Sequence, residues 1–312
     1  MADKRSATDW GLFGVLSILW GLAYPLNRLA VNMGNTEAGF PPQLVMSGRV
    51  TIGAIILLCV AFATRQAFPR WNDYRRWGAI AGLGLIGTAF PFLMISTAQK
   101  DIDSSLAALY VAAAPLFVAA LAHFFFSDER MTTMKAIGLL VGFSGVALLF
   151  GPDAISSFGS ASVLAQGLCL AATLCYSVAT IIARGAPSMP PFVLSAGFVS
   201  VAALFSYTLL PTVDFEAVRP SASACMGLIG LGILPTAAAS LFYMVLVSRT
   251  SATFLSLTGY TIPIFSAVVG FIAFGEVQNW LSVLAFVLIL AGVWISQHSG
   301  RSAKSRPVRE DA

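Results

Sequence analysis

WGAIAGLGLIGTAFPFLMISTA, residues Trp77–Ala98, runs for 22 residues without a charged side chain. As an α-helix it would rise about 1.5 Å per residue and cross a hydrocarbon core of roughly 30 Å. In lipid the backbone must satisfy its own hydrogen bonds, so a run of this kind is read as a spanning helix. Reading outward in both directions, comparable runs fill the chain: Trp10–Val31, Leu44–Ala63, Ser105–Phe126, Thr133–Gly151, Val163–Ala183, Phe192–Leu210, Ala222–Val247, Ala252–Phe274 and Trp280–Gln297. The short alternating strands of a membrane barrel are absent from the pattern. The expectation is an all-α polytopic membrane protein of ten transmembrane helices.

The opening segment also recurs. GLGLIGTA (Gly82–Ala89) matches GLGILPTA (Gly230–Ala237), and YVAAAPLFVAA (Tyr110–Ala120) matches GYTIPIFSAVV (Gly259–Val269). FFSDE (Phe125–Glu129) answers FGE (Phe274–Glu276), and SGVALLF (Ser144–Phe150) answers AGVWIS (Ala291–Ser296). A Pro-Pro pair opens the second helix of each half, at Pro41–Pro42 and Pro190–Pro191. A sustained offset of this kind marks an internal duplication. Five spans per unit is an odd number, so the second copy enters the membrane from the opposite side. Inverted repeats of this type are characteristic of secondary transporters. The expected organisation is a cytoplasmic segment 1–9, repeat 1 over 10–151, a linker 152–162, repeat 2 over 163–297 and a cytoplasmic tail 298–312.

Composition agrees. Hydrophobic residues make up 57% of the 312 and charged residues 10%, against about 25% charged in soluble domains. The net charge of +4 is spread along loops and forms no nucleic-acid-binding patch. Cys59, Cys169, Cys175 and Cys225 lie in apolar runs without metal-ligand spacing, so neither a metal nor a cofactor is expected. The first apolar run lacks a small-residue cleavage site and is read as a span, not a removed signal. With the N-terminus in the cytoplasm, inner segments hold fourteen Lys and Arg and outer segments two, Lys100 and Arg219. That bias predicts both termini inside, and hence a multi-pass protein of a bacterial inner membrane.

The sequence resembles the EamA-domain branch of the drug/metabolite transporter superfamily, ten-span type, over about residues 11–297. The resemblance rests on WGLAYPLNRLA (Trp20–Ala30), the Pro-centred fourth and ninth helices, the acidic turns SDE and GE, and the helices ending SGVALL and AGVWIS. It implies an inner-membrane carrier that exports amino acids or related small metabolites by alternating access, with a cavity between the halves. The SDE turn has one residue more than GE, and helix register favours Glu129 over Asp128 as the counterpart of Glu276.

Candidate residues follow from polarity inside spans. Arg49 lies about six residues within the second helix. An ionisable group there marks a pathway or binding site, or it snorkels to the headgroups. Facing a cavity, it would hold a carboxylate through a forked pair of hydrogen bonds. Trp20, Tyr24, Asn27 and Arg28 share one helical face; Tyr24 and Asn27 are read as cavity lining, Arg28 and Trp20 as suited to an interfacial belt. Tyr110 and Tyr260 precede Pro115 and Pro263, prolines that kink helices and free carbonyls. Tyr176 and Tyr243 are further cavity candidates. His123 is a candidate for a proton pathway, or a hydrogen-bonded side chain near the interface. Gln99, Lys100, Asp101 and Asp103 read as a solvated outer turn. Gly138, Gly142 and Gly145, and Gly78 with Gly82, read as close-packing surfaces.

No Asp or Glu falls deep in a span, and no HExxH or GxSxG motif occurs. A membrane-embedded lipid-modifying enzyme would need such a cluster. The favoured reading is a non-enzymatic carrier with no catalytic residues. Its substrate would be a carboxylate-bearing metabolite such as an amino acid, or alternatively an amphipathic compound of the multidrug type.

Overall fold

The computed structural model describes residues 6–31, 39–127, 129–151, 160–250, 252–255 and 257–303. Residues 1–5 and 304–312 of the two expected tails, 152–159 of the expected linker, and Asp128 lie outside the described residues. Among the described residues nine helices are long and apolar enough to cross a membrane. They are α1 (Ala7–Ala30), α2 (Pro42–Ala63), α3 (Tyr74–Ala98), α4 (Ser104–Phe125), α5 (Thr133–Phe150), α6 (Ala161–Gly185), α7 (Pro191–Thr212), α8 (Ala222–Leu246) and α10 (Trp280–Gln297). The tenth, α9 (Thr258–Phe274), is shorter because a separate turn at Ala252–Leu255 precedes it. The protein is thus an all-α polytopic membrane protein of about ten helices.

Local chemistry sets the boundaries. Pro42 and Pro191 each occupy the first position of a helix, where the missing N–H would have had no partner anyway. Ser160 and Ser221 cap α6 and α8 by accepting from the amides of Val163 and Ala224, which satisfies an otherwise orphaned donor. α1 breaks at Leu22, three residues before Pro25.

The duplicated segments GLGLIGTA and GLGILPTA carry the same irregularity, a π-helical bulge over Leu85–Ala89 in α3 and Gly232–Ala238 in α8. In each, a threonine hydroxyl bonds to the carbonyl five residues back: Thr88 to Leu83 at 3.2 Å and Thr236 to Leu231 at 2.8 Å. The bulge displaces the normal i−4 acceptor, and the threonine takes up the carbonyl that is freed. Pro235 falls inside its bulge and Pro91 two residues after the other, although neither has an equivalent in the aligned sequence.

Helix pairing follows the duplication. α5 packs on its repeat counterpart α10, and α2 on its counterpart α7. The pairing of α3 with α6 is mirrored by that of α1 with α8, and that of α1 with α9 by that of α6 with α4. The α5–α10 seam uses the expected glycines. A Cβ on Gly138 would stand 2.6 Å from the Gly292 carbonyl, and one on Gly145 2.7 Å from that of Ala285. Small residues let two backbones meet where lipid provides no hydrophobic drive. Gly82 likewise faces Ile182, but Gly78 has nothing within 4 Å and makes no close approach. Large apolar side chains such as Leu140, Leu204, Phe271 and Ile272 point outward, as a lipid-facing surface requires.

Candidate functional site

Arg49 sits mid-bundle and is buried, so it does not snorkel. Its Nε donates to Thr236 Oγ1 at 2.8 Å, and its guanidinium carbon lies 3.5 Å above the centroid of the Phe92 ring. The tyrosines Tyr24 and Tyr176 lie within its electrostatic reach. Gly53, one turn along α2, creates the space: a Cβ there would stand 2.6 Å from the Thr236 methyl. The α8 bulge therefore does two jobs. It places the Thr236 hydroxyl on the Leu231 carbonyl and presents it to a buried cation. Among the described residues no protein group bonds Nη1 or Nη2 of Arg49. The two terminal nitrogens of a planar fork match a carboxylate.

Beside this point runs a buried amide chain. Asn27 donates from Nδ2 to Gln99 Oε1 at 2.6 Å and accepts from Ser96 Oγ at 2.7 Å; Gln99 in turn donates to the Tyr24 carbonyl at 3.1 Å. Gln99 is completely buried, which corrects its reading as part of a solvated turn. The amide reaches back into the bundle, where the Tyr24 carbonyl on the second segment of α1 accepts from it.

Arg28 and Asp103 meet at this end of the bundle: the Arg28 Nη1 binds both Asp103, which stays about half exposed in its turn, and Glu276. Glu276 is buried in the turn between α9 and α10. Its Oε1 accepts from the amide of Ser104 at 3.1 Å and from that hydroxyl at 2.8 Å; its Oε2 accepts from the amide and hydroxyl of Ser105 at 3.1 and 2.6 Å. A carboxylate at a helix N-terminus meets both unpaired N–H groups and the positive end of the dipole. Gly270 leaves room for it, since a Cβ there would stand 2.5 Å from Glu276 Oε2. The clamp ties α1, α4 and the α9–α10 turn at one end of the bundle.

The other candidates divide. Tyr24, Tyr110, Tyr176 and Tyr260 belong to one apolar cluster. Tyr110 donates to Gln166 Oε1 at 2.6 Å. Pro115 stands just after a break in α4 at Ala112–Ala113, and α6 hydroxyls brace that break, Thr173 on the Tyr110 carbonyl and Ser177 on that of Ala114. Pro263 sits inside continuous α9. Tyr243 lies in a different cluster, 5.4 Å from the Trp20 ring. His123 accepts from the Met131 amide at 3.0 Å through Nδ1 and so latches the turn after α4. Phe92, Thr236, Gln99, Ser96 and Glu276 complete the site and were not singled out as cavity residues by sequence. Among the described residues no group of His, Cys, Asp and Glu could hold a metal ion.

A bundle of apolar helices whose pairings in one half are mirrored in the other, around a buried cation and an amide chain, defines a polytopic membrane protein built from two related halves. The model of the EamA-like transporter family matches the chain twice, over residues 10–151 and 163–296. The chain belongs to that family. Similar proteins include "Uncharacterized transporter YdfC" of Bacillus subtilis, 26% identical over 88% of this chain and 86% of that one. Another is the "Probable terminal-alkyne amino-acid exporter" of Streptantibioticus cattleyicolor, 25% identical over 94% of each. A solved crystal structure superposes with a TM-score of 0.63 at 21% identity, over 95% of this chain and all of that one, which shows the shared fold.

Proposed function

We propose that this transporter exports small metabolites bearing a carboxylate, amino acids foremost, across a bacterial inner membrane by alternating access. The observation that carries the reading is the Arg49 guanidinium: held at Nε by Thr236 and stacked on Phe92, with its two terminal nitrogens unclaimed by protein among the described residues. Tyr24, Tyr176 and Phe92 supply aromatic surface beside it, suited to the apolar part of an amino acid or an amphipath. A relative named as an amino-acid exporter supports the same class. The fourteen-to-two distribution of basic residues supports cytoplasmic termini.

Alternating access needs two ends that open in turn. The Glu276 clamp shuts one end by joining α4 to the opposite repeat. Its counterpart by repeat, Glu129, instead pairs with Lys135 at 2.8 Å and Arg184 at 3.5 Å. Glu129 capping the start of α9 while Glu276 lets go of α4 would be the mirrored state, and the duplication makes the two states similar in energy.

Counterflow of a labelled amino-acid panel into proteoliposomes tests the reading. Arg49→Ala abolishes uptake of zwitterionic and anionic substrates while the protein still elutes as a single folded species. Undiminished amino-acid counterflow by that variant refutes the carboxylate role. Uptake of amphipathic cations by both proteins would then favour the multidrug alternative.

A further inference from the structure

The repeat produces two related clefts, one at each end of the bundle. One lies where Pro41 meets the α7–α8 turn, about 230 Å³ in volume, and among the described residues its single charged lining group is Asp214. The other lies where Pro190 meets the α2–α3 turn and is larger, about 740 Å³. The prolines are equivalent, since GFPP (Gly39–Pro42) and SMPP (Ser188–Pro191) open corresponding helices. The duplication thus supplied the same crevice twice and sequence divergence made only one of them basic. The Pro190 cleft is lined by Arg70, Arg75 and Arg76.

The three arginines are not equivalent. Arg76 is consumed by structure: its Nη1 binds Asp73 at 2.7 Å and its Nε donates to the Ser188 carbonyl at 3.2 Å. That bond rivets the two turns together, and Asp73 is spent on Arg76 and on capping its helix. Arg70 and Arg75 are exposed and, among the described residues, their guanidinium groups bond to no protein group. Two uncompensated guanidinium groups therefore face one braced cleft.

The neighbouring aromatics fix the depth. Trp71 and Tyr74 are 89% and 80% exposed. The Trp71 ring stacks on Trp77 at 5.7 Å and 14°, and the Trp77 indole donates to the Arg70 carbonyl. Exposed tryptophan and tyrosine at helix ends sit at the level of lipid headgroups, and basic pockets at that level recognise phosphate headgroups. We infer that Arg70 and Arg75 form a binding site for the phosphodiester of an anionic phospholipid, held between the α2–α3 and α6–α7 turns, and that the Asp214 cleft at the opposite end does not.

Native mass spectrometry of the full-length protein in neutral detergent reads the site directly. Dioctanoyl phosphatidylglycerol is compared with dioctanoyl phosphatidylcholine and with inorganic phosphate. Wild-type protein is expected to retain the glycerol lipid at least about tenfold more tightly than the choline lipid. R70Q/R75Q loses that preference, R70K/R75K keeps most of it, and K100Q/R219Q, which removes two charges at the other end, leaves it intact. The preference surviving in R70Q/R75Q, or disappearing equally in K100Q/R219Q, would overturn the proposal. Inorganic phosphate competing as well as the lipid would also overturn it, by assigning the cleft to a soluble anion.

Discussion

Glu276 and Ser105 lie 171 residues apart in the chain, yet one carboxylate oxygen of Glu276 accepts from both the amide and the hydroxyl of Ser105, at 3.1 and 2.6 Å. A turn of the second repeat thereby caps a helix of the first. Charge-assisted bonds of this kind are roughly twice as strong as neutral ones, so the charge, beyond the shape, holds these helix ends together. Glu276→Gln keeps the size and loses the charge and part of the acceptor capacity. Cys169, buried in the cluster with Tyr24 and Tyr110, is a native reporter. With Cys59, Cys175 and Cys225 replaced by serine, alkylation of Cys169 by a water-soluble maleimide is expected to speed up about tenfold in E276Q. An unchanged rate would show that the clamp does not gate this end.

The same carboxylate gives the clamp a pH dependence. Burial pushes the Glu276 carboxyl upward, but the hydroxyls and amides of Ser105 and Ser104 outweigh it and hold the group below its ordinary value. The clamp therefore contributes stability that is fully present above the ordinary carboxylate range, about pH 4.3, and is lost as pH falls through the lowered value. The melting-temperature difference between wild type and E276Q is expected to stay constant from about pH 8 to pH 5.5 and to shrink only below about pH 4. A difference that vanishes already near pH 6 contradicts the assignment.

Thr88 and Thr236 separate structure from substrate handling, because they perform the same backbone task in the two repeats and only Thr236 holds Arg49. Valine at either site strands a buried carbonyl, which costs about 1–3 kcal/mol. T88V and T236V are expected to lower thermal stability comparably. Only T236V also releases the Arg49 Nε, so it alone raises the transport KM, by about tenfold. Equal KM effects from the two variants would place Arg49 outside the binding step.

The amide chain predicts non-additivity. Asn27→Leu leaves Gln99 Oε1 and Ser96 Oγ without their buried partner, and Gln99→Leu strands the Asn27 amide in return. Each single change is expected to cost about 2 kcal/mol, and the double variant about 1 kcal/mol less than the sum. Thermal denaturation in one detergent measures the cycle, and strict additivity would mean the two amides act independently.

Much of this architecture could be read from the chain, because lipid demands long apolar helices and a duplicated motif keeps its register. The spans, the Pro42 and Pro191 helix starts and the glycine seam all follow from local composition. The clamp was hidden for a physical reason. Glu276, Ser105 and Arg28 each look ordinary at a helix end, and only the fold brings the three ends together. Gln99 was misread because an amide after the last apolar residue of a span resembles loop, while its side chain turns back to the carbonyl of Tyr24. The bulges were half legible: the repeated GLGxxxTA pattern showed that something is kept twice, but nothing in it specifies a π turn. Arg49 was visible as an anomaly, yet its orientation depended on Phe92 and Thr236, which lie on two other helices.

The α5–α10 seam offers the sharpest contrast between glycines. A Cβ on Gly292 would meet the backbone of Gly142 and stand 2.5 Å from the Gly138 carbonyl, whereas one on Gly14 or Gly167 meets nothing within 4 Å. Backbone atoms on both sides cannot rotate away, so Gly292→Ala forces the two helices apart along their length, an overpacking change that costs about 1–3 kcal/mol. Gly14→Ala and Gly167→Ala carry no such clash and gain helix propensity of up to about 1 kcal/mol. The melting temperature is therefore expected to fall in G292A and to hold or rise in the other two. α5 and α10 pair with each other as repeat counterparts, so loosening them also weakens a contact between the two halves. Transport by G292A is accordingly expected to fall even at temperatures where the variant remains folded, and full activity there would make the seam a scaffold that plays no part in the conformational cycle.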